Sequence, residues 1–391
     1  MPRLSTLRHK FGQIFRESNE EPRVFFAPGR VNLIGEHTDF TGGYVLPAAL
    51  TYGTWAAVRG RKDGKFRLAS TSFDERVEFD TSELIYRRVD GWANYAKGVI
   101  REFDKLGIRL AGCDILFDGN IPKAAGLSSS ASLEMVTAFA LKQIETLDQS
   151  LLELTQLAQR AENQFVGVNC GIMDQFASGL GKAGHALLLK CDSLIYRHIP
   201  LSLGHYQLVL TNSNKQRSLT ESKYNQRRQE CEAGAIALLK YLPSVVCLGD
   251  VTLEQWETVH KRIRTSEIHK RLDHVVHENA RVLASTFALE AGHIKTFGQT
   301  MIKSHESLRD LYEVTGVELD TLFEQARQVI GCIGTRMTGA GFGGCTVSLV
   351  HEDAVADFKD QVTQGYHAKT GLTPTFYKAE IGDGAREILG R

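Results

Sequence analysis

The chain contains 391 residues, enough for two domains with separate cores. Hydrophobic residues make up 42% of it and charged residues 24%, proportions that exclude wholesale disorder. Lys and Arg number 46 and balance the 46 Asp and Glu, so neither a nucleic acid nor an acidic membrane surface is an expected partner. No apolar run approaches the length of a membrane span, and no apolar leader precedes a cleavage site, so we expect a cytoplasmic protein.

The predicted elements of the first third of the chain are mainly strands. Val24 to Ala27 resembles a short strand that runs into a turn at Pro28 and Gly29. Residues 53–79 alternate apolar and polar side chains around two glycines, which predicts strands and hairpins. Cys113 to Phe117 is a further predicted strand, and it leads into a loop.

Two helices follow with clear signals. From Ser130 onward apolar residues recur at helical spacing without an intervening Gly or Pro, which predicts a helix. Ser150 and Glu153 have the spacing of a capping box, so a second helix is expected to begin there.

The later elements mix both types. Gln207 to Thr211 and Cys345 to Val350 resemble strands, whereas residues 220–330 are predicted to be mostly helical. Strands and helices do not alternate regularly, which favours an α+β fold over a doubly wound sheet. We place a domain boundary near residue 200, giving domains 1–200 and 201–391.

The seven cysteines are scattered along the chain without a Cys-x-x-Cys pair. Their odd number and wide spacing argue against a disulfide framework and against a structural zinc site. We expect most of them to be small buried hydrophobic groups. His274 and His277 are three residues apart but lack the His-Glu-x-x-His pattern of zinc sites, so we predict that they lie on a solvated helix face.

A serine-rich segment, Ala124 to Ser132, lies between a predicted strand and a predicted helix. A helix N-terminus offers free N–H groups and partial positive charge, and small residues let an anion approach the backbone. The segment therefore fits a phosphate cradle, although the chain contains no Walker loop. On these residues alone, an ordinary serine-rich N-cap fits equally well.

A second segment, Gly29 to Asp39, crowds Arg, Glu, His and Asp between glycines. Carboxylates accept hydrogen bonds and imidazole can donate or accept them, so such a cluster suits the vicinal hydroxyls of a sugar. A solvated charged loop is the alternative. Val31, Leu33 and Ile34 indicate partial burial, and buried charges need partners, which favours the functional interpretation.

The third segment is the glycine-rich run from Thr338 to Gly344. It satisfies the Gly-x-Gly-x-x-Gly pattern, but it precedes a predicted strand, whereas a dinucleotide-binding fingerprint opens a helix. We therefore reject a Rossmann site. Two interpretations of the segment remain. It is either a loop that closely approaches another element or a ligand, or a plain tight turn.

Together the three segments resemble the three signature motifs of the GHMP small-molecule kinases, and Gly29 to Asp39 is similar to the galactokinase signature almost residue for residue. Further stretches resemble the same family. These are Trp92 to Tyr95, Glu162 to Gly167, Cys170 to Gln175, Tyr224 to Arg228, and Ser304 to Asp310.

The resemblance implies a two-domain fold with the active site in the cleft between the halves. The N-terminal half would resemble domain 2 of ribosomal protein S5, and the C-terminal half would be α/β. The implied activity is ATP-dependent phosphorylation of the anomeric hydroxyl of galactose, the first step of galactose catabolism. No obligate protein partner is implied.

Three alternatives accompany this expectation. A kinase for N-acetylgalactosamine would need room at the second carbon of the sugar, which a sequence does not measure. A non-catalytic galactose and ATP sensor would have lost part of the serine-rich loop, whereas Ser128 to Ser130 are intact here. A mevalonate or homoserine kinase would have little use for the polar cluster between Arg30 and Asp39.

The resemblance also implies roles for individual residues. The catalytic aspartate would be Asp174, with Arg30 as its cationic neighbour. The sugar would be held by Glu36, His37, Thr38, Asp39, Gly171 and Tyr224. ATP would be bound by Ser70, Ala124, Ala125, Gly126, Leu127, Ser128, Ser129 and Ser130, and more weakly by Trp92. The ligands of Mg²⁺ would be Ser130 and Glu162.

Overall fold

The computed structural model describes residues 2–16, 20–122, 125–215 and 220–389. The strands in this part of the chain are β1 (Arg23–Asn32), β2 (Tyr44–Val45), β3 (Pro47–Gly60), β4 (Lys65–Ser70), β5 (Val77–Asp80), β6 (Cys113–Gly119), β7 (His185–Lys190), β8 (Ile195–Pro200), β9 (Tyr206–Asn212), β10 (Cys332–Thr338), β11 (Cys345–His351), β12 (Thr375–Lys378) and β13 (Arg386–Glu387).

The α-helices of the described residues are α1 (Pro2–Ile14), α2 (Ala93–Lys105), α3 (Ser129–Glu145), α4 (Leu151–Arg160), α5 (Met173–Leu180), α6 (Thr220–Leu239), α7 (Leu253–Val259), α8 (Ser266–Glu290), α9 (Ile294–Ser307), α10 (Val317–Gln328) and α11 (Val355–Thr370). Two π-helices, Ala161–Val166 and Leu308–Tyr312, extend α4 and α9.

The N-terminal half is built on a six-stranded sheet in the order β13-β1-β3-β6-β4-β5, in which only the β4–β6 pair is parallel. Helix α3 packs on β1 and β3, and the apolar faces of α2 and α4 belong to the same core. The predicted capping box of Ser150 and Glu153 is present at the start of α4. These packed faces fix the positions of α3 and α5, which both point residues into the site described below.

The predicted turn at Pro28 and Gly29 is wrong, because β1 continues through it. The pairing register between β1 and β3 shifts between Pro28 and Arg30, so Pro28 and Gly29 lie at an irregularity within β1. Any Cβ at position 29 would overlap the carbonyl oxygen of Leu127, and the Arg30 N–H donates to that oxygen at 3.2 Å. Gly29 therefore lets the serine-rich segment lie directly on β1.

The C-terminal half contains a four-stranded sheet in the order β10-β11-β9-β12. Helices α9, α10 and α11 contact its strands, and α8 packs beside α9 and α6. A three-stranded sheet, β2-β7-β8, lies next to α8. The strands predicted at Gln207 to Thr211 and Cys345 to Val350, and the helical stretch between them, are confirmed.

The two halves are interlocked, since β13 near the end of the chain pairs with β1. The domain boundary near residue 200 stays a prediction. All seven cysteines are free thiols, and four of them are buried. Among the described residues, every helix is too short or too polar to cross a bilayer.

Candidate active site

A cavity of about 390 Å³ lies where the three sequence segments meet. Polar groups from both halves line the cavity. Other lining residues are ones for which the sequence predicted no role. The lining includes Arg30, Glu36, His37, Asp39, Tyr95, Ala125 to Ser130, Glu162, Cys170, Gly171, Met173, Asp174, Tyr224, Asn225, Gly339 and Ala340. Folding thus brings Asp39, Ser130 and Asp174 to one place, as the resemblance required.

Asp174 lies in the first turn of α5 and faces Arg30 at the end of β1. The guanidinium binds both carboxylate oxygens, with Nε–Oδ1 at 2.8 Å and Nη2–Oδ2 at 3.0 Å. The Ser128 hydroxyl also donates to Oδ2. This bidentate pair fixes the orientation of the carboxylate.

The serine-rich segment ends in the N-terminus of α3. Ser128 has a left-handed backbone with φ of 59°, and the helix begins at the next residue. Arg30 Nη1 donates to the Gly126 carbonyl oxygen at 2.8 Å, so one arginine fixes both the loop and Asp174. The free N–H groups of α3 therefore face the cavity beside that carboxylate. Ala124 lies outside the described residues.

Glu162 lies in the π-helix Ala161–Val166, a type of turn that is frequent at functional sites. Its carboxylate is hydrogen-bonded to Ser130, and Gln175 Nε2 donates to Oε2 at 2.6 Å. Burial raises the pKa of Glu162, and the charge of Asp174 adds to this effect. Ser130 and Glu162 thus present adjacent oxygen donors to the cavity, which fits the preference of Mg²⁺ for a carboxylate and other oxygen ligands.

His37 is buried and has a left-handed backbone with φ of 61°. Burial lowers the pKa of its imidazole to about 3, so the ring is neutral. Nε2 lies 3.2 Å from the Ala340 carbonyl oxygen, which can only accept, so Nε2 carries the proton. Nδ1 is then a buried acceptor without a partner among the described residues, on a side chain that lines the cavity.

Asp39 and Gly171 touch each other across the cavity wall, since a Cβ on Gly171 would overlap the Asp39 carboxyl group. Burial raises the pKa of Asp39 to about 7, and the negative charge of Asp174 adds to this effect. Tyr224 packs on His37 with ring centroids 5.4 Å apart. Burial raises the pKa of the Tyr224 phenol well above its usual value, so its hydroxyl stays available as a donor.

Three of the residues predicted for the site, Thr38, Ser70 and Trp92, do not line this cavity. The Thr38 hydroxyl donates to the Gly35 and Tyr44 carbonyl oxygens at 3.0 and 2.7 Å, so it holds the turn rather than facing a ligand. Ser70 lies at the end of β4, where its hydroxyl accepts the Ser72 N–H at 3.1 Å.

A buried polar layer lies behind residues 29–39, the predicted sugar-binding segment, and this layer was not predicted. His274 is fully buried, so its predicted place on a solvated helix face is wrong. Its ring binds the Ser307 hydroxyl and the Glu36 carbonyl oxygen, at 2.8 and 3.2 Å. Glu278 and Arg336 are equally buried. Apart from Arg281, which donates to Glu278 from the same helix, their partners come from distant segments, so no local sequence signal reveals this layer.

Comparison with known proteins identifies the class of protein to which the chain belongs. Residues 94–182 match "GHMP kinases N terminal domain" and residues 287–368 match "GHMP kinases C terminal". A mevalonate kinase structure from Methanococcus jannaschii superposes with a TM-score of 0.65 at 19% identity over 94% of this chain and all of that one, a likeness of fold. The chain is therefore a GHMP kinase, which confirms the predicted two-domain α+β fold.

More specific similarities identify the family within this class of kinases. Residues 9–60 match "Galactokinase galactose-binding signature". The chain is 54% identical to the galactokinase of Halalkalibacterium halodurans, over 94% of this chain and 93% of that one. A Lactococcus lactis galactokinase structure complexed with galactose is 43% identical, with a TM-score of 0.95 over 98% of this chain and all of that one. The chain belongs to the galactokinase family, and it is a sugar kinase.

Proposed function

We propose that this chain transfers the γ-phosphoryl group of ATP to the anomeric hydroxyl of galactose, giving galactose 1-phosphate and ADP. One observation supports the proposal above the others. Asp174, held by Arg30, lines the same cavity as the polar side chains of Glu36, His37 and Asp39 and the N-terminal end of α3. A cytoplasmic location remains a prediction.

The Arg30–Asp174 pair prepares the acceptor. The Asp174 carboxylate, oriented by its ion pair with the guanidinium, accepts the proton of the attacking hydroxyl. The hydroxyl oxygen then bonds to the γ-phosphorus while the bond to the β–γ bridging oxygen breaks, and ADP carries that oxygen away. Arg30 also stays next to the developing negative charge, because it is fixed by Gly126 as well as by Asp174.

In this proposal, residues 125–130 and the N-terminus of α3 bind the nucleotide. Backbone N–H groups there can bind phosphate oxygens, and Ser129 is the exposed hydroxyl of the loop. Ser130 and Glu162 would hold Mg²⁺, which when bound neutralises charge on the β- and γ-phosphates. Contacts of Ser70, and more weakly of Trp92, with the nucleotide are part of this proposal. Trp92 Nε1 is a buried donor that lacks a partner within the described ranges.

The sugar side rests on Glu36, His37, Asp39, Gly171 and Tyr224, all of which line the cavity. Glu36 and Asp39 supply acceptors, His37 Nδ1 supplies another, and the Tyr224 phenol can donate. Thr38 would contribute through the shape of the turn. A ring of hydroxyls matches this mixture of donors and acceptors better than an aliphatic acid does.

The alternatives are less well supported. Curated relatives that share 44–54% identity with nearly the full chain are named as galactokinases. A non-catalytic sensor would have no need of the Arg30–Asp174 pair beside an intact serine-rich loop. N-acetylgalactosamine is a second substrate to be tested in the same assay.

The test is a coupled assay of ADP release at saturating ATP, with galactose, glucose, N-acetylgalactosamine and 2-deoxygalactose as acceptors. We expect galactose to give the highest kcat/KM. Release of ADP at one rate with and without galactose would contradict the proposal. A higher kcat/KM for N-acetylgalactosamine than for galactose would mean that N-acetylgalactosamine is the substrate.

A further inference from the structure

Arg336 lies on β10 in the C-terminal half and is fully buried, yet its guanidinium reaches the sugar-binding segment of the N-terminal half. Nη1 donates to the Asn32 carbonyl oxygen at 2.9 Å and lies 3.4 Å from Glu36 Oε1. Nε donates to the Ser304 hydroxyl at 3.2 Å. A buried cation needs such partners, and Glu36 is its partner nearest the cavity.

The same oxygen of Glu36 is bound a second time. The Gly339 N–H donates to Oε1 at 2.7 Å. Both contacts from β10 and its following loop therefore engage Oε1. Oε2 is the oxygen that remains for a ligand, since Glu36 lines the cavity and its hydrogen-bond partners among the described residues all bind Oε1 or the main chain.

The backbone of the segment is held from the same side. Glu278 on α8 accepts the Gly35 N–H at 2.9 Å, and the Ser304 hydroxyl donates to the same carboxylate oxygen at 2.6 Å. Ser304 thus links Arg336 to Glu278. The sugar-binding segment is oriented by a continuous buried network, in which Arg336, Glu278 and Ser304 come from the C-terminal half.

We propose that Arg336 is a positioning residue for sugar recognition: it fixes the Glu36 carboxylate so that one oxygen faces the substrate. It does not touch the substrate. The inference rests on the proposed sugar-binding role of Glu36, and it adds a residue outside the three signature segments. Because Arg30 and Asp174 are held by separate contacts, the effect falls on galactose recognition and spares the chemical step.

Arg336→Lys is the direct test. Lysine keeps the charge but cannot reach Asn32, Ser304 and Glu36 together with one compact ammonium group. A misdirected charged hydrogen bond should raise the KM for galactose by about 10-fold or more, with kcat and the KM for ATP within about threefold. A purely structural role predicts loss of active protein without this split, so equal galactose KM values for variant and wild type would overturn the proposal.

Thr335→Val is the matched control. Thr335 is on the same strand, is fully buried and bonds Ser348 at 2.8 Å without touching Glu36. It should lower the unfolding temperature while leaving both KM values within about twofold. A galactose KM that rises as much in this control as in Arg336→Lys would show that any damage to β10 has the effect, and would overturn the proposal.

A paired variant covers the case in which Arg336→Lys does not fold. Arg336→Met combined with Glu36→Gln removes both buried charges together, so neither is left unpaired. The galactose KM of this pair should equal that of Glu36→Gln alone within about twofold, because Arg336 acts through Glu36. A galactose KM about 10-fold higher in the paired variant than in Glu36→Gln would contradict the inference that Arg336 acts through Glu36. Separately, a normal galactose KM in Glu36→Gln would refute the sugar-site assignment itself.

Discussion

Gly171→Ala tests the sugar side of the cavity with the smallest possible change. A methyl group at this position would overlap the Asp39 carboxyl oxygen and carbon, and would lie 2.9 Å from Asp39 Cβ. Ordinary carbon contacts need about 3.5 Å or more, so Asp39 must move, and its carboxylate must move by more than about 1 Å. The backbone at Gly171 is not left-handed, so the substitution acts through this contact alone.

A displaced Asp39 loses its alignment with the sugar. Misplacement of a binding group by about 1 Å can cost about 100-fold in rate, and a lost charged hydrogen bond costs about 1.5–3 kcal/mol. We therefore expect kcat/KM for galactose to fall by about 10- to 100-fold, with the KM for ATP little changed.

The assay is steady-state ADP release with each substrate varied in turn. Gly12→Ala is the control, because a Cβ there meets nothing within 4 Å on helix α1. It should leave kinetics unchanged and slightly raise stability. If Gly171→Ala has a galactose KM and kcat within about twofold of wild type, Asp39 does not position the sugar and the reasoning fails.

Three other changes address the remaining groups. Asp174→Asn should lower kcat by about 10²–10⁴-fold, while calorimetry still detects binding of galactose and ATP; turnover within a few-fold of wild type would remove Asp174 from the base role. Glu162→Gln should shift the Mg²⁺ concentration for half-maximal activity more than the galactose KM, and an unchanged metal titration would count against a ligand role. The raised pKa of Asp39, from 3.8 to about 7, means that the free protein loses stability as the pH rises through that window. Asp39→Asn should therefore unfold at a higher temperature than wild type at about pH 8 but not at about pH 4; equal unfolding temperatures at both pH values would contradict the burial of a charged Asp39.

Local signals predicted much of this molecule. The capping box of Ser150 and Glu153 is a contact within one helical turn, so the sequence was sufficient to find it. The helix after the serine-rich segment follows equally from local periodicity. The roles assigned to Asp174 and Glu162 came only from the family resemblance, because a single carboxylate on a helix is usually solvated.

The errors arise where distant segments decide the structure. Pro28 and Gly29 form a common turn pair, but β3 pairs on both sides of them and the strand continues. His274 belongs to a helix with many polar residues, and its burial depends on Glu36, more than two hundred residues earlier. Arg336 on β10 is similar: its partners are Asn32, Glu36 and Ser304, which no window of sequence brings together.

The most direct test of the account is the identity of the product. Incubation with galactose and ATP, followed by ³¹P NMR, locates the new phosphate through its coupling to a sugar proton. We predict a signal coupled to the anomeric proton of galactose, absent from the Asp174→Asn variant over the same time. Phosphate on another hydroxyl, or free phosphate without a sugar ester, would contradict the proposed role of Asp174 as the base that activates the anomeric hydroxyl.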